Sequence, residues 1–73
     1  MEQTFGQQLV GLQFNPSGDE RVQRAKELCA ELADLLHPES RTTSPMKRLL
    51  YEHAVGEILN AQMNVVKVLT LKP

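Results

Sequence analysis

The chain has little of what usually holds a small protein together by chemistry. Cys29 is its only cysteine, so no disulfide can close within it. His37, His53 and Cys29 are scattered, and no pair has the spacing of a zinc site. Tryptophan is absent, and Phe5, Phe14 and Tyr51 are the only aromatics. Charge of one sign is lacking too: the net value of -1 argues against a binder of polymeric nucleic acid, which needs a basic stripe. A small anionic ligand is not excluded, because a few local Lys and Arg suffice for two or three phosphates. No apolar run approaches the ~18 residues of a membrane span, and no basic segment leads into an apolar one as in a signal peptide. The expectation is a soluble cytoplasmic protein with no membrane partner.

Catalytic patterns are missing as well. There is no P-loop and no dinucleotide fingerprint, and Glu52, His53 and Glu57 do not form the H-E-x-x-H arrangement of a metalloprotease. Glu52 and His53 are neighbours in sequence, and adjacent residues on a helix point in different directions. Neither an enzyme nor a bound cofactor or metal is expected.

What remains is helix. With 73 residues the chain is one domain, residues 1–73. A chain this short buries only about 60% of its unfolded surface, so disulfides, a metal or a partner subunit usually help. The first two are ruled out above, and a hydrophobic content of 41% leaves two helices needing something to bury against. Self-association follows as the expectation. Residues 1–18 read as an arm and turn, in which Phe5, Leu9 and Leu12 recur at helical spacing and allow a short helix over residues 4–10. So short a helix does not persist alone in water. The preferred arrangement lays this arm across a partner subunit.

Ser17, with Glu20 three residues later, has the pattern of a capping box, and Pro16 holds Asn15 extended. The first long helix is expected over residues 19–36, with Val22, Ala25, Leu28, Cys29, Leu32, Leu35 and Leu36 as its apolar stripe. Cys29 on that stripe reads as a buried structural thiol. His37-Pro38 ends the helix, and residues 38–43 read as a polar loop. Ser44-Pro45 then gives an N-cap with proline at the first helical position, opening a second long helix over residues 45–71. The short connection favours an antiparallel helical hairpin. One face of the second helix holds Met46, Leu50, Ala54, Ile58, Ala61, Val65 and Val68, and a neighbouring face holds Leu49, Val55, Leu59, Gln62, Val66 and Leu69. Together they are wider than one helix can cover, which is the main argument for a multi-subunit core. Gly56, inside this helix, costs about 1 kcal/mol relative to alanine, and close packing against a crossing helix is the simplest reason for it.

Five residues stand out as ligand-binding candidates, each with a plainer alternative. Phe14 is either a plug for a hairpin end or a stacking platform for a base. Arg24 and Lys26 are either solvated cations or phosphate contacts, with Arg the bidentate donor and Lys the flexible point charge. His53 is a surface or interface histidine or faces a ligand, and Lys67 is a solvated residue near a helix C-terminus or meets a neighbouring subunit's arm.

The segment Phe14-Asn15-Pro16-Ser17-Gly18, followed by Val22 and Lys26, the run from Leu28 to Leu36, and the later Glu52-His53-Ala54, Ala61-Gln62-Met63 and Val66-Lys67, resembles the Acb2/Tad1 hairpin family of phage anti-defence proteins, most of all its anti-CBASS branch. The resemblance implies an all-α hairpin with an N-terminal arm or short helix, assembled as a homo-oligomer, commonly a hexamer. It implies non-enzymatic sequestration of cyclic dinucleotides such as cyclic GMP-AMP, and in some members of cyclic trinucleotides, at pockets shared between subunits in the host cytoplasm. Related members take cyclic ADP-ribose-type messengers. Carried over to this chain, the stacking aromatic is Phe14, the phosphate contact is Lys26, and Asn15 either reads a base edge or braces the arm. Three departures bear on ligand choice: Phe14 lacks a tyrosine hydroxyl, Asn64 stands where an aromatic often follows the Ala-Gln-Met segment, and the basic tail is reduced to Lys72-Pro73. Outside the family reading, a protein-binding helical inhibitor or assembly module is the alternative.

Overall fold

A computed structural model describes residues 2–72. Three α-helices account for most of them, α1 (Phe5–Val10), α2 (Glu20–Leu36) and α3 (Pro45–Thr70), with a 3-10 turn at His37–Arg41 where a polar loop is expected. The described residues contain no strand, so the fold is all-α. No helix among them is long and apolar enough to cross a membrane.

Local chemistry accounts for each helix end. Thr4 caps α1 with a reciprocal pair: its hydroxyl accepts from the Gln7 backbone N–H at 3.2 Å, and the Gln7 side chain accepts from the Thr4 N–H at 3.0 Å. Gly11 ends α1 in the left-handed region, φ 63°, where a side chain would be strained. At the start of α2 the expected Ser17 cap is displaced. Asp19 is the N-cap, its carboxylate accepting from the Arg21 N–H at 2.7 Å, while the Ser17 hydroxyl accepts from the Asp19 N–H and donates to Asn15 Oδ1 at 2.8 Å. Ser17 therefore shapes the turn before the helix and not the helix itself. Ser44 caps α3 as expected, accepting from Lys47 N, with Pro45 at the first helical position.

The arm packs on its own chain. Gly6 lies so close to α2 that a Cβ there would stand 2.0 Å from the Ala30 carbonyl oxygen. Its backbone N–H donates to Asp34 Oδ1 at 2.7 Å, placing a carboxylate against the first turn of α1. The Phe5 ring stacks on His37, centroids 4.2 Å apart and nearly parallel, and His37 Nδ1 lies 3.4 Å from the Tyr51 hydroxyl. Within the chain, α2 itself supplies the covering expected from a partner.

The start of α2 lies beside the end of α3, where the Arg21 guanidinium donates to the Leu69 carbonyl at 3.4 Å, close to the negative pole of that helix. At the other end, Lys47 pairs with Glu39, and Arg48 donates to the carbonyls of Ser40 and Thr42, tying the 3-10 turn to the start of α3.

The core is thin. Val10, Val22, Ala30, Ala33 and Ile58 are its buried apolar residues. The Cα envelope measures 45 × 32 × 13 Å, too flat to enclose more. The buried line of α2 is Val22, Lys26, Ala30 and Ala33, which departs from the expected stripe. Of that stripe Leu28, Leu32 and Leu35 are exposed, and Cys29 is only half-buried. Two helices approach α2 where its side chains are small, and the leucines are left outside. On α3, Ile58 and Gln62 turn inward, whereas Met46, Leu50, Val65 and Val68 stand in the open. Gly56 is exposed with nothing within 4 Å of a Cβ, so no crossing helix of this chain explains it.

Candidate functional site

An open groove of about 360 Å³ runs between the Phe14–Ser17 junction, the first turns of α2 and the last turns of α3. Phe14, Pro16, Val22, Met63 and Val66 make it largely apolar, and Asn15, Lys26, Gln62 and Thr70 supply polar groups. Its parts come from the neighbouring segments 14–17 and 22–26 and from the distant segment 62–70. The proline-led turn presents one wall, and the α2–α3 contact provides the floor.

Lys26 is only 7% exposed. Its ammonium donates to the Gly11 carbonyl at 3.1 Å and to the Phe14 carbonyl, and it lies 5.6 Å from the centroid of the Phe14 ring. A burial this deep is tolerable for a cation only because its charge meets carbonyl dipoles and a π face. Lys26 thus holds the end of α1 and the aromatic in place together. Two of its three N–H donors are engaged by these carbonyls, and one is left for anything that enters the groove.

Phe14 is 63% exposed, so most of its ring is available as a flat apolar surface. Asn15 braces the junction: its amide donates to the Asp19 carbonyl at 3.2 Å and to Gln23 Oε1 at 3.4 Å, and its oxygen accepts from Ser17. The Arg21 side chain and backbone N–H both bond the Asp19 carboxylate and hold its pKa below the usual range. Away from the groove, burial pushes the Cys29 thiol pKa up.

Of the six residues singled out from sequence, Phe14, Asn15 and Lys26 meet in this groove. The other three lie elsewhere. Arg24 lines a separate hollow with Gln7, Glu27, Glu31 and Asp34, and pairs with Glu27 at 3.3 Å and Glu31 at 3.8 Å. His53 sits exposed on a shallow surface with Glu52, Gly56, Glu57 and Asn60. Lys67 is exposed in the last turn of α3 and is not among the groove residues.

Gln62 was missing from the candidates, yet it is the most buried polar residue of the groove at 5% exposure. A signal for it existed, since it is the one polar member of the face Leu49, Val55, Leu59, Gln62, Val66 and Leu69. A polar residue on an apolar stripe asks for a partner, and Lys26 between Val22 and Ala30 carries the same message. The described residues contain no cluster of His, Cys, Asp and Glu able to hold a metal. Chemically the groove offers a stacking ring, one free ammonium donor and a carboxamide in an apolar setting. Compared with known proteins, the chain matches no family model, no curated protein and no solved structure.

Proposed function

We propose that the protein sequesters a cyclic nucleotide messenger, holding it in the groove beside Phe14 without cleaving it. The carrying observation is the convergence of Phe14, Lys26 and the Gln62-Met63 segment on one groove. These are the parts of the chain on which the resemblance to the Acb2/Tad1 hairpin family rests. In this reading the Phe14 ring stacks on a base, and the remaining Lys26 donor meets a phosphate oxygen. The two long helices form an antiparallel hairpin, and hairpins assemble into a homo-oligomer, a hexamer by the resemblance. The exposed Leu28, Leu32, Leu35, Met46, Leu50, Val65 and Val68 support assembly, because so many apolar side chains are not left in water without use. Free messenger falls, and a host effector of CBASS signalling stays inactive.

Ligand depletion tests this. The protein is mixed with cyclic GMP-AMP, cyclic di-AMP, a cyclic tri-adenylate and a cyclic ADP-ribose isomer in turn, removed by filtration, and digested. The expected result is loss of at least one of them from the filtrate and its recovery intact after proteolysis. Four unchanged filtrates would refute the reading.

The same exposed apolar residues also suit a foreign helix, which keeps a protein-binding module as the second reading. Light scattering separates the two. A stable homo-oligomer favours the sponge, and a monomer that associates only with another chain favours the module.

A further inference from the structure

We infer that Gln62 selects the ring of the bound ligand, pairing its carboxamide with an adenine edge. The inference rests on the nucleotide reading of the groove and adds to it a specificity residue that the resemblance does not assign.

Gln62 is 5% exposed, and among the described residues its carboxamide makes no hydrogen bond. Neither amide atom is sealed from solvent, since no fully buried side-chain polar atom lacks a partner, and Gln62 is one of the residues that line the groove. Its neighbours one turn away on α3 are Ile58, which is buried, and Val66, which lines the same groove. The side chain is thus mostly buried while its amide remains open to water, whose hydrogen bonds a ligand edge can replace. The chain places a methionine at the very next position, Met63, yet keeps the amide here.

The other polar groups of the groove are already engaged. Asn15 gives its carboxamide to Asp19, Gln23 and Ser17. Lys26 gives two donors to the carbonyls of Gly11 and Phe14. Thr70 donates its hydroxyl to the Val66 carbonyl at 2.8 Å. Gln62 is left as the side chain with both a donor and an acceptor unspent. A carboxamide sets these side by side, matching the N6 amino group and N7 of adenine, whereas the same N7 edge of guanine presents two acceptors, N7 and O6. The apolar lining from Val22, Met63 and Val66 strengthens such a pair by excluding water.

The test titrates cyclic di-AMP and cyclic di-GMP into the wild type, Gln62→Met and Gln62→Glu, alongside melting curves. The wild type is expected to favour cyclic di-AMP by about 5- to 150-fold, the range of one good bidentate pair. Gln62→Met should melt no lower than the wild type and bind both ligands alike, keeping the stacking and phosphate contacts. Gln62→Glu, with an acceptor but no donor, should lose the same preference and serves if the methionine variant fails to fold. A wild-type preference that survives in the variants overturns the Gln62 role alone, as does a wild type that favours cyclic di-GMP. A wild type that binds neither these nor any other cyclic nucleotide overturns the groove reading with it.

Discussion

Gly6→Ala should unseat α1, although alanine is the better helix former. A Cβ at this position meets backbone on three counts, the Ala30 carbonyl oxygen at 2.0 Å, its carbon at 2.7 Å and its Cα at 2.9 Å. Backbone in the middle of α2 cannot swing aside as a side chain could. Restoring ordinary contact at 3.4 Å requires α1 to retreat by about 1.4 Å (3.4 minus 2.0). That takes the 2.7 Å bond from the Gly6 N–H to Asp34 beyond hydrogen-bonding distance. A hydrogen bond to a charged group is worth about 1.5–3 kcal/mol. Partial exposure of Val10 adds a fraction of the ~1.5 kcal/mol of a buried valine, and alanine's helix propensity returns about 1 kcal/mol. The net loss of docking is about 2 kcal/mol, or roughly 30-fold in the opening equilibrium. Amide hydrogen exchange over residues 5–11 should therefore quicken by about that factor while α3 keeps its protection. Unchanged or slower exchange in that segment would refute the close approach as the reason for glycine. The consequence reaches the groove, because Lys26 ties the Gly11 carbonyl to the Phe14 carbonyl. A loosened α1 should weaken ligand binding without touching a groove residue.

Three further outcomes are expected. Gly56→Ala should raise the melting temperature, by about 1 kcal/mol of helix propensity, since nothing lies within 4 Å of the added methyl; a fall, with loss of mass in light scattering, would mean that a neighbouring subunit packs there. Leu50→Glu, at a position 62% exposed in the single subunit, should leave helical circular dichroism intact and lower the particle mass; an unchanged mass would remove Leu50 from any subunit interface. The depressed pKa of Asp19 makes its contribution present above its unfolded value near 3.8 and lost as pH falls through the lower folded value. Acid melting of the wild type below pH 4 should thus be steeper than that of Asp19→Ala, and parallel acid limbs would contradict the cap assignment.

Much of the helix plan was legible because its signals are local. Ser44-Pro45 opens α3, His37-Pro38 closes α2, and Phe5 and Leu9 share one face of a short helix that forms. Phe14 and Lys26, twelve residues apart, lie together, the ammonium 5.6 Å from the ring centroid. Other features depend on which neighbour arrives. The apolar count on α2 favoured its leucines, yet the helices approach along Val22, Lys26, Ala30 and Ala33, where small side chains let backbones close in. Gly6 is the contact point with α2, which no periodicity reveals. Ser17 and Asp19 are both good caps, and the turn at Gly18, φ 65°, decides between them. Arg24 and Lys67 were attractive as charges, but they are not among the groove residues, and His53 sits nine residues before Gln62 along α3.

The central claim is that the groove beside Phe14 holds a cyclic nucleotide, and calorimetric titration of cyclic GMP-AMP into the wild type and Phe14→Ala tests it most directly. The ring is 63% exposed, and Lys26 keeps its bonds to the Gly11 and residue-14 backbone carbonyls when the ring is removed, so the variant should keep its fold. Loss of one base–aromatic stack is worth about 1–3 kcal/mol, a weakening of roughly 5- to 150-fold. The account predicts saturable binding to the wild type, weakened within that range in the folded variant. Absence of binding to the wild type, or equal affinity in the two proteins, would contradict it.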